Sequence, residues 1–153
     1  MNRAGHEALD LKAFALLQEL TEEEREALAD LLEPCVVGQG EAIFCEGDEA
    51  DGLVLIVSGS VRLIGARGDT EVRLRGGEHL GALSIFVIGA RESSATAESE
   101  CDLLLLSRMA FRRLADDAPR AACRLAEAVI GDLAGLLRRD LDRIAGRRSA
   151  RGA

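Results

Sequence analysis

The chain has 153 residues and a formal net charge of −8, a size that suits one domain with its own core. It has no long apolar run, and its start, MNRAGHEALD, lacks the basic-then-apolar order of a secretory signal. These features predict a cytoplasmic protein without a transmembrane segment. The charge is uneven, since 14 acidic and 3 basic residues up to Gly52 give −11, whereas 13 acidic and 16 basic residues after it give +3. The acidic first third repels phosphate backbones, so direct nucleic acid binding is not expected.

The first part of the chain has the apolar spacing of helices. The segment LKAFALLQEL carries apolar residues at three-residue steps, and TEEEREALADLLEP begins with Thr21 and Glu24 at capping-box spacing. We predict two helices here, the second of which ends at Pro34. From Cys35 to Arg75 the period changes to short β-branched and apolar runs separated by glycine-rich turns. This pattern predicts the strands of a small sheet or barrel.

The second half of the chain returns to helix. A short helix is expected around Leu83 to Phe86, ESSATAES and CDLLLLS resume the strands, and RMAFRRLADD has helical spacing. The predicted core covers about residues 14–118, followed by a long helix over about 119–146 and a tail at 147–153. About 25 residues of helix (roughly 37 Å) exceed the width of a small barrel. The apolar stripe of this helix must cover its own barrel, a second copy of the helix, or both, and we expect a homodimer through it. The stripe consists of Leu125, Val129, Leu133, Leu136, Leu137, Leu141 and Ile144.

Catalysis, metal binding and redox chemistry are not expected. The four cysteines show no C-x-x-C spacing, and the two histidines, His6 and His79, are isolated, with His79 expected to be partly packed. Ser93 and Ser94 have no histidine that could serve as a base.

Two long segments resemble one family. GEAIFCEGDEADGLVLIVSGSVRLI, residues 40–64, resembles the G-E/D-x-[IL]-F-x-E-G-D turn and the S-G-x-V strand junction of the cyclic nucleotide-binding domain family. Residues 74–114 resemble its phosphate-binding cassette and the strand and helix that follow it. That family includes the catabolite activator protein and the regulatory subunits of the cyclic-AMP-dependent kinase. The resemblance covers roughly residues 14–144. It implies a mainly β fold with flanking α, a double-stranded β-helix (jelly-roll-like) barrel with N-terminal helices and a long C-terminal helix. Positive φ is expected at Gly47 and Gly59.

The cassette of the family usually reads F-G-E-[LM]-[AG]-L, with an arginine after five further residues. The resemblance places Gly81 on the glycine and Arg91 on the arginine, so that the loop can approach a phosphate and a forked charge can bind it. Two positions depart from the family pattern. Ala82 stands where the family glutamate bonds the ribose 2′-hydroxyl, and Glu92 stands where a small residue follows the arginine. The implied site for a cyclic nucleotide or another anion consists of Gly81, Ala82, Leu83, Arg91, Glu92 and Ser93.

These departures predict weak binding of cyclic AMP and cyclic GMP. A charge-assisted hydrogen bond is worth about 1.5–3 kcal/mol, and two unit charges about 6 Å apart repel by roughly 2–3 kcal/mol at an effective dielectric of 20. Their sum weakens binding by about two to four decades. In the catabolite activator type, helix hydroxyl groups that reach the purine would fall near Leu136 and Leu137, which cannot read a base edge.

We therefore expect a non-enzymatic regulatory or ligand-sensing module with a degenerate cassette and no resident cofactor. It would act as a homodimer through the C-terminal helix and through an unidentified protein partner. The alternative is a functional cyclic nucleotide sensor, in which Glu92 turns outward and Arg91 still binds phosphate. In another interpretation Arg91 is structural and is neutralised by Glu92 or a neighbouring carboxylate. No recognition helix fits in AGRRSARGA after Ile144, so direct DNA reading is not expected.

Overall fold

Eight strands form two four-stranded antiparallel sheets in the computed structural model, which describes residues 10–65, 68 and 70–152. One sheet has the order β1-β8-β3-β6 and the other β2-β7-β4-β5. The strands are β1 (Glu33–Val37), β2 (Ala42–Phe44), β3 (Leu53–Ser58), β4 (Ser60–Gly65), β5 (Glu71–Arg75), β6 (His79–Leu80), β7 (Ser93–Ala97) and β8 (Cys101–Leu106). The predicted strands and the jelly-roll-like fold are confirmed, although the described residues form a two-sheet sandwich and not a closed barrel.

The central pair of strands, β3 and β8, is buried on both faces. Leu55 of β3 and Leu104 of β8 face each other in the register and belong to the core beneath the helices. Their neighbours Ile56 and Leu103 belong to a second core between the two sheets, where they pack with Val61 of β4. Successive strand residues point to opposite faces, so a strand covered on both sides must be apolar throughout. This is why LVLI and LLLL are unbroken apolar runs.

The first predicted helix is wrong in type. Two short 3₁₀ helices, Leu11–Ala13 and Ala15–Leu17, replace it, and Phe14 between them is extended (φ −88°, ψ 120°). The apolar residues Leu11, Phe14, Leu17 and Leu20 are nevertheless all buried. A three-residue step matches the period of a 3₁₀ helix better than the 3.6 residues of an α-helix.

The second helix is confirmed as α1 (Glu22–Ala29). Both capping-box bonds are present, with the Glu24 amide 3.2 Å from Thr21 Oγ1 and the Thr21 amide 2.9 Å from Glu24 Oε2. Its predicted end at Pro34 is wrong, because the helix ends at Ala29 and Pro34 is the second residue of β1. Among the described strands β1 pairs only with β8 and is an edge strand, which tolerates a residue that lacks an N–H donor.

Two helices end the described chain, α2 (Arg108–Asp117) and α3 (Pro119–Arg151). Ser107 caps α2 by accepting a bond from the Ala110 amide at 3.0 Å, and Pro119 occupies the first turn of α3. The long helix is confirmed, but it reaches Arg151, beyond the predicted end at about 146 and into the predicted tail. Leu125 and Val129 are buried in the core of their own domain, so this inner part of the stripe covers the domain itself. Within the described residues, no helix is both long enough and apolar enough to cross a bilayer.

Candidate functional site

The candidate site is built around a glycine with a left-handed backbone. Gly81 (φ 73°) precedes a short 3₁₀ helix, Ala82–Ile85, called here the cassette helix; residues 81–93 are called the cassette. A Cβ atom added at Gly81 would collide with Arg91 Nη1 and would lie 3.0 Å from the Gly52 carbonyl oxygen. Only glycine combines this backbone conformation with so close an approach. The expected positive φ is also found at Gly47 (88°) and Gly59 (99°).

Arg91 holds three segments of the site together. Its Nη1 donates to Ser84 Oγ at 3.1 Å, on the cassette helix, and its Nη2 donates to the Gly52 carbonyl at 3.2 Å, before β3. Its guanidinium carbon lies 4.2 Å from the ring centroid of Phe44 on β2, a cation–π geometry. Its backbone amide donates to the Asp48 carbonyl at 2.7 Å. The arginine is therefore fixed in place before any ligand arrives.

The charge of Arg91 is only loosely compensated. Burial lowers the pKa of the Arg91 guanidinium, and the carboxylates of Asp51 and Asp48 act in the opposite direction. Among residues 10–65, 68 and 70–152, no carboxylate lies within 4.0 Å of this guanidinium, and its buried Nε has no hydrogen-bond partner. Glu92 is exposed and does not pair with it. An arginine stays protonated in such surroundings, so the site presents one positive charge.

The guanidinium lies at a cavity of about 390 Å³. The polar side chains at its wall are Ser84, Arg91, Glu92 and Ser93. Most of the remaining wall is apolar and includes Phe44, Leu63, Leu80, Leu83, Val87 and Ile88. Five of the six predicted site residues thus come together at this cavity. Ala82 does not line it; its methyl group packs against the core beneath the helices.

Arg108, which the sequence analysis missed, supports the cassette without lining the cavity. From the first turn of α2, its Nε donates to the Ser84 carbonyl at 3.2 Å and its Nη2 donates to the Ala50 carbonyl at 2.8 Å. Its backbone amide lies 3.3 Å from Asp51 Oδ1. Ser84 therefore contacts Arg91 through its hydroxyl and Arg108 through its carbonyl. An arginine directly after a helix N-cap serine carries no distinctive sequence signal, which is why it was not singled out.

A second missed contact joins the sheet to the long helix. His79 Nε2 on β6 lies 3.2 Å from Asp132 Oδ2 on α3. His79 is partly packed, as expected, while His6 lies outside the described residues. His79 and Asp132 are 53 residues apart in sequence, so no local sequence pattern predicts their contact.

The remaining predicted residues lie away from the cavity. Leu136 and Leu137 on α3 are exposed and do not contribute to the cavity wall. In the part of the chain that the structure describes, no group of three or more histidine, cysteine, aspartate or glutamate side chains could hold a metal ion. The four cysteines are free thiols, and burial raises the pKa of the Cys101 thiol.

Comparison with known proteins decides the family. The family model of the cyclic nucleotide-binding domain matches residues 20–118. The chain belongs to this family. Among similar relatives of the cyclic nucleotide-binding domain are a CRP-like cAMP-activated global transcriptional regulator of Mycobacterium tuberculosis, 34% identical over 124 residues, and a cyclic AMP receptor protein of Thermus thermophilus, 32% identical over 120 residues. These alignments cover 78% and 76% of this chain.

Solved structures agree with this assignment of the cyclic nucleotide-binding fold. The catabolite activator protein of Thermus thermophilus matches with a TM-score of 0.73 and 31% identity over 85% of this chain and 62% of that one. The N-terminal domain of a transcriptional regulator from Streptomyces coelicolor matches with a TM-score of 0.72 and 28% identity, over 83% and 94% of the two chains. The domain type is therefore that of a regulatory or sensing module.

The alignments cover only part of the curated relatives. The chain spans 53% and 56% of the two bacterial regulators. It spans 7% of a lysophospholipase of Neurospora crassa, to which it is 28% identical over 102 residues. The similarity is thus one of a domain within longer proteins.

Proposed function

We propose that this chain is a non-enzymatic sensing module in which Arg91 binds an anion while the cassette binds cyclic AMP and cyclic GMP only weakly. The observation that carries the proposal is the cavity itself, which presents one fixed guanidinium with loosely compensated charge and an otherwise largely apolar wall. In the family pattern the sugar is bound by a carboxylate at the position of Ala82. A methyl group there accepts no hydrogen bond, so the ribose 2′-hydroxyl loses about 1.5–3 kcal/mol of binding free energy.

Glu92 contributes less to this weakness than the sequence alone suggests. Its side chain is exposed, so water and salt screen its repulsion of a bound anion. The missing acceptor at Ala82 is therefore the larger of the two departures. The alternative function, an active cyclic nucleotide sensor, requires Glu92 to point away from the ligand, and Glu92 is exposed while bordering the cavity. That alternative gains support from the 34% identity to a regulator named for activation by cAMP.

Amide NMR shifts test the proposed anion site, because they detect even millimolar binding. Titration with cyclic AMP and, separately, with inorganic phosphate should shift the Ser84 and Ser93 resonances, with dissociation constants weaker than about 100 μM. The shifts should disappear in Arg91→Gln and persist in Arg73→Gln, which alters an exposed arginine of β5. Equal shifts in both variants would show that Arg91 does not bind the anion. Binding of cyclic AMP at about 1 μM or tighter would favour the active sensor.

We also propose that the outer half of α3 forms a homodimer. Ile130, Leu137, Leu141 and Ile144 are exposed, and 33 residues make a helix of about 50 Å, longer than the domain needs for its own packing. Ile130 and Leu141 are 11 residues apart, as are Leu133 and Ile144. An 11-residue apolar repeat has 3.67 residues per turn, which suits a nearly straight pair of helices with a slight right-handed twist.

Sedimentation velocity tests this dimer. The unaltered chain should sediment as a dimer at micromolar concentration. Replacing two exposed residues of the stripe, Leu137→Asp with Ile144→Asp, should give a monomer, because paired carboxylates cannot be buried in an apolar seam. Val36→Asp, which alters an equally exposed residue of β1, should leave the dimer intact. A wild-type monomer at 100 μM would contradict this part of the proposal.

A further inference from the structure

The wall of the cavity carries few polar side chains for the hydroxyl and base heteroatoms of a cyclic nucleotide. A cyclic nucleotide carries a sugar hydroxyl and several base heteroatoms besides its phosphate. Besides Arg91, the cavity offers these groups three polar side chains, namely Ser84, which already accepts a bond from Arg91, the exposed Glu92, and Ser93. Polar ligand atoms buried without partners lose their hydrogen bonds to water and receive nothing in return.

The apolar part of the wall suits a hydrocarbon body instead. Leu63 on β4 and Leu80 on β6 contribute side chains from the two sheets, and Leu83, Val87 and Ile88 contribute from the cassette. Leu83, Val87 and Ile88 are large apolar side chains that are now exposed, with Ile88 74% exposed. A ligand with an apolar body would cover them, and removing apolar surface from water is favourable roughly in proportion to its area.

The polar end of such a ligand would be an anion that contacts Arg91. A guanidinium has five N–H donors, and the bonds to Ser84 and Gly52 use one on each Nη nitrogen. Each Nη nitrogen therefore keeps a second N–H. A planar carboxylate accepts from two N–H groups of one guanidinium at once. The cavity volume of about 390 Å³ lies near the small end of ligand sites, which span roughly 300–1,000 Å³.

We propose that the cavity binds an organic monocarboxylate with an apolar body of medium length, its carboxylate on Arg91 and its hydrocarbon part on Leu83, Val87 and Ile88. The proposal rests on the anion site at Arg91 proposed above and adds the chemical class of the ligand. Binding would bury the exposed side chains of the cassette. The cassette helix touches α2 through the bond from Arg108 to Ser84 and through the edge-on contact of Phe86 with Phe111 at 5.0 Å between centroids. Ser84 would thus connect a carboxylate bound at Arg91 to α2, because it contacts both Arg91 and Arg108.

Calorimetric titration with octanoate, 1-octanol, cyclic AMP and inorganic phosphate tests the ligand class. Octanoate should bind at least about tenfold more tightly than 1-octanol, which has the apolar body without the charge, and than cyclic AMP. Arg91→Gln should weaken octanoate binding by about tenfold or more and leave 1-octanol within about twofold. Arg91→Lys keeps the positive charge but loses the paired N–H donors of the guanidinium. Its affinity for octanoate should lie between those of the unaltered chain and Arg91→Gln, and it is the second variant should Arg91→Gln fail to fold.

A matched pair of valines tests the apolar contact. Val87 lines the cavity and is 61% exposed, whereas Val36 is 65% exposed on β1 and does not line it. Val87→Asn should weaken octanoate binding by about threefold or more, and Val36→Asn should not change it. Equal effects of the two substitutions would overturn the placement of the hydrocarbon part.

The outcomes separate the ligand class from the anion site. If cyclic AMP binds more tightly than octanoate and its binding depends on Arg91, the carboxylate class is wrong and the anion site stands. If octanoate binds no better than 1-octanol, the class is also wrong. If neither octanoate, cyclic AMP nor phosphate binds in a manner that Arg91→Gln alters, both the ligand class and the proposed anion site are wrong.

Discussion

Arg91 and Ala82, near the two ends of the cassette, differ in what holds them. Arg91 is fixed by a hydroxyl, a carbonyl and an aromatic ring from three segments, so its side chain contributes to the folded structure as well as to any ligand. Ala82 makes no such polar contacts, and its methyl group packs on the core beneath the helices. A charge that stabilises the loop is costly to lose, whereas an acceptor that serves only a ligand is not. This difference explains how the domain can retain the Arg91 guanidinium, which can bind an anion, while it lacks a carboxylate at position 82 that could bind a sugar hydroxyl.

The largest effect should come from removing the cation. In a chain carrying Ala82→Glu, which is expected to strengthen cyclic AMP binding, the further change Arg91→Gln should weaken that binding by about 30-fold to 1,000-fold. The change removes the charge-assisted contact of the guanidinium with the phosphate, and the expected loss corresponds to about 2–4 kcal/mol. Calorimetry measures the affinity, with Arg73→Gln as the control. A loss below about threefold would mean that the phosphate does not contact Arg91.

Restoring the acceptor should give the next largest effect. Ala82→Glu should strengthen cyclic AMP binding by about 10-fold to 100-fold, because it returns one charge-assisted hydrogen bond to the ribose. The matched control is Ala90→Glu, which adds the same charge at an exposed residue of the cavity wall. If the two variants bind cyclic AMP equally, the methyl group at Ala82 is not what weakens the site.

A pair of glycines separates backbone strain from collision at the site. Gly40 (φ 83°) and Gly81 (φ 73°) have similar backbones, but a Cβ at Gly40 meets no heavy atom within 4 Å, whereas one at Gly81 meets Arg91. Gly40→Ala should lower the free energy of unfolding by about 1–2 kcal/mol through strain alone. Gly81→Ala should lower it by about 1–2 kcal/mol more, because Arg91 must leave Ser84. Urea denaturation measures both, and equal losses would show that the close approach of Gly81 to Arg91 does not matter.

The smallest effect should come from Glu92. Because its side chain is exposed, Glu92→Gln should strengthen anion binding by only about threefold at low salt and by less at 0.5 M salt. Calorimetry at the two salt concentrations checks this. A gain in affinity above about 30-fold would mean that the Glu92 carboxylate lies beside the ligand and is a main cause of weak binding.

Much of the fold could be predicted because its signals are local. The capping box at Thr21 and Glu24, the glycines at positive φ and the alternation of strands with tight turns each act within a few residues. The same locality explains the errors. A three-residue apolar step fits two helix types, and only packing selected the pair of 3₁₀ helices; Pro34 ends a helix or begins an edge strand depending on a neighbour far away in sequence.

Only those residues of the site that lie within one sequence motif could be predicted. Gly81 and Arg91 lie in one segment of the cassette and were identified together. Phe44, Gly52 and Arg108 reach the site from other segments, and their contacts depend on how the two sheets and α2 pack. The apolar stripe of α3 could be read from its spacing, but its division into a buried inner part with Leu125 and an exposed outer part with Leu141 depends on where the domain ends beneath it.

The affinity of the unaltered chain for cyclic AMP tests the central claim most directly. One guanidinium with no sugar acceptor should supply about 5 kcal/mol of binding free energy at most, so calorimetry at 0.15 M salt should give a dissociation constant weaker than about 100 μM. Cyclic GMP should bind as weakly. A dissociation constant of about 1 μM or tighter for either nucleotide would contradict the account and identify the chain as an active cyclic nucleotide sensor.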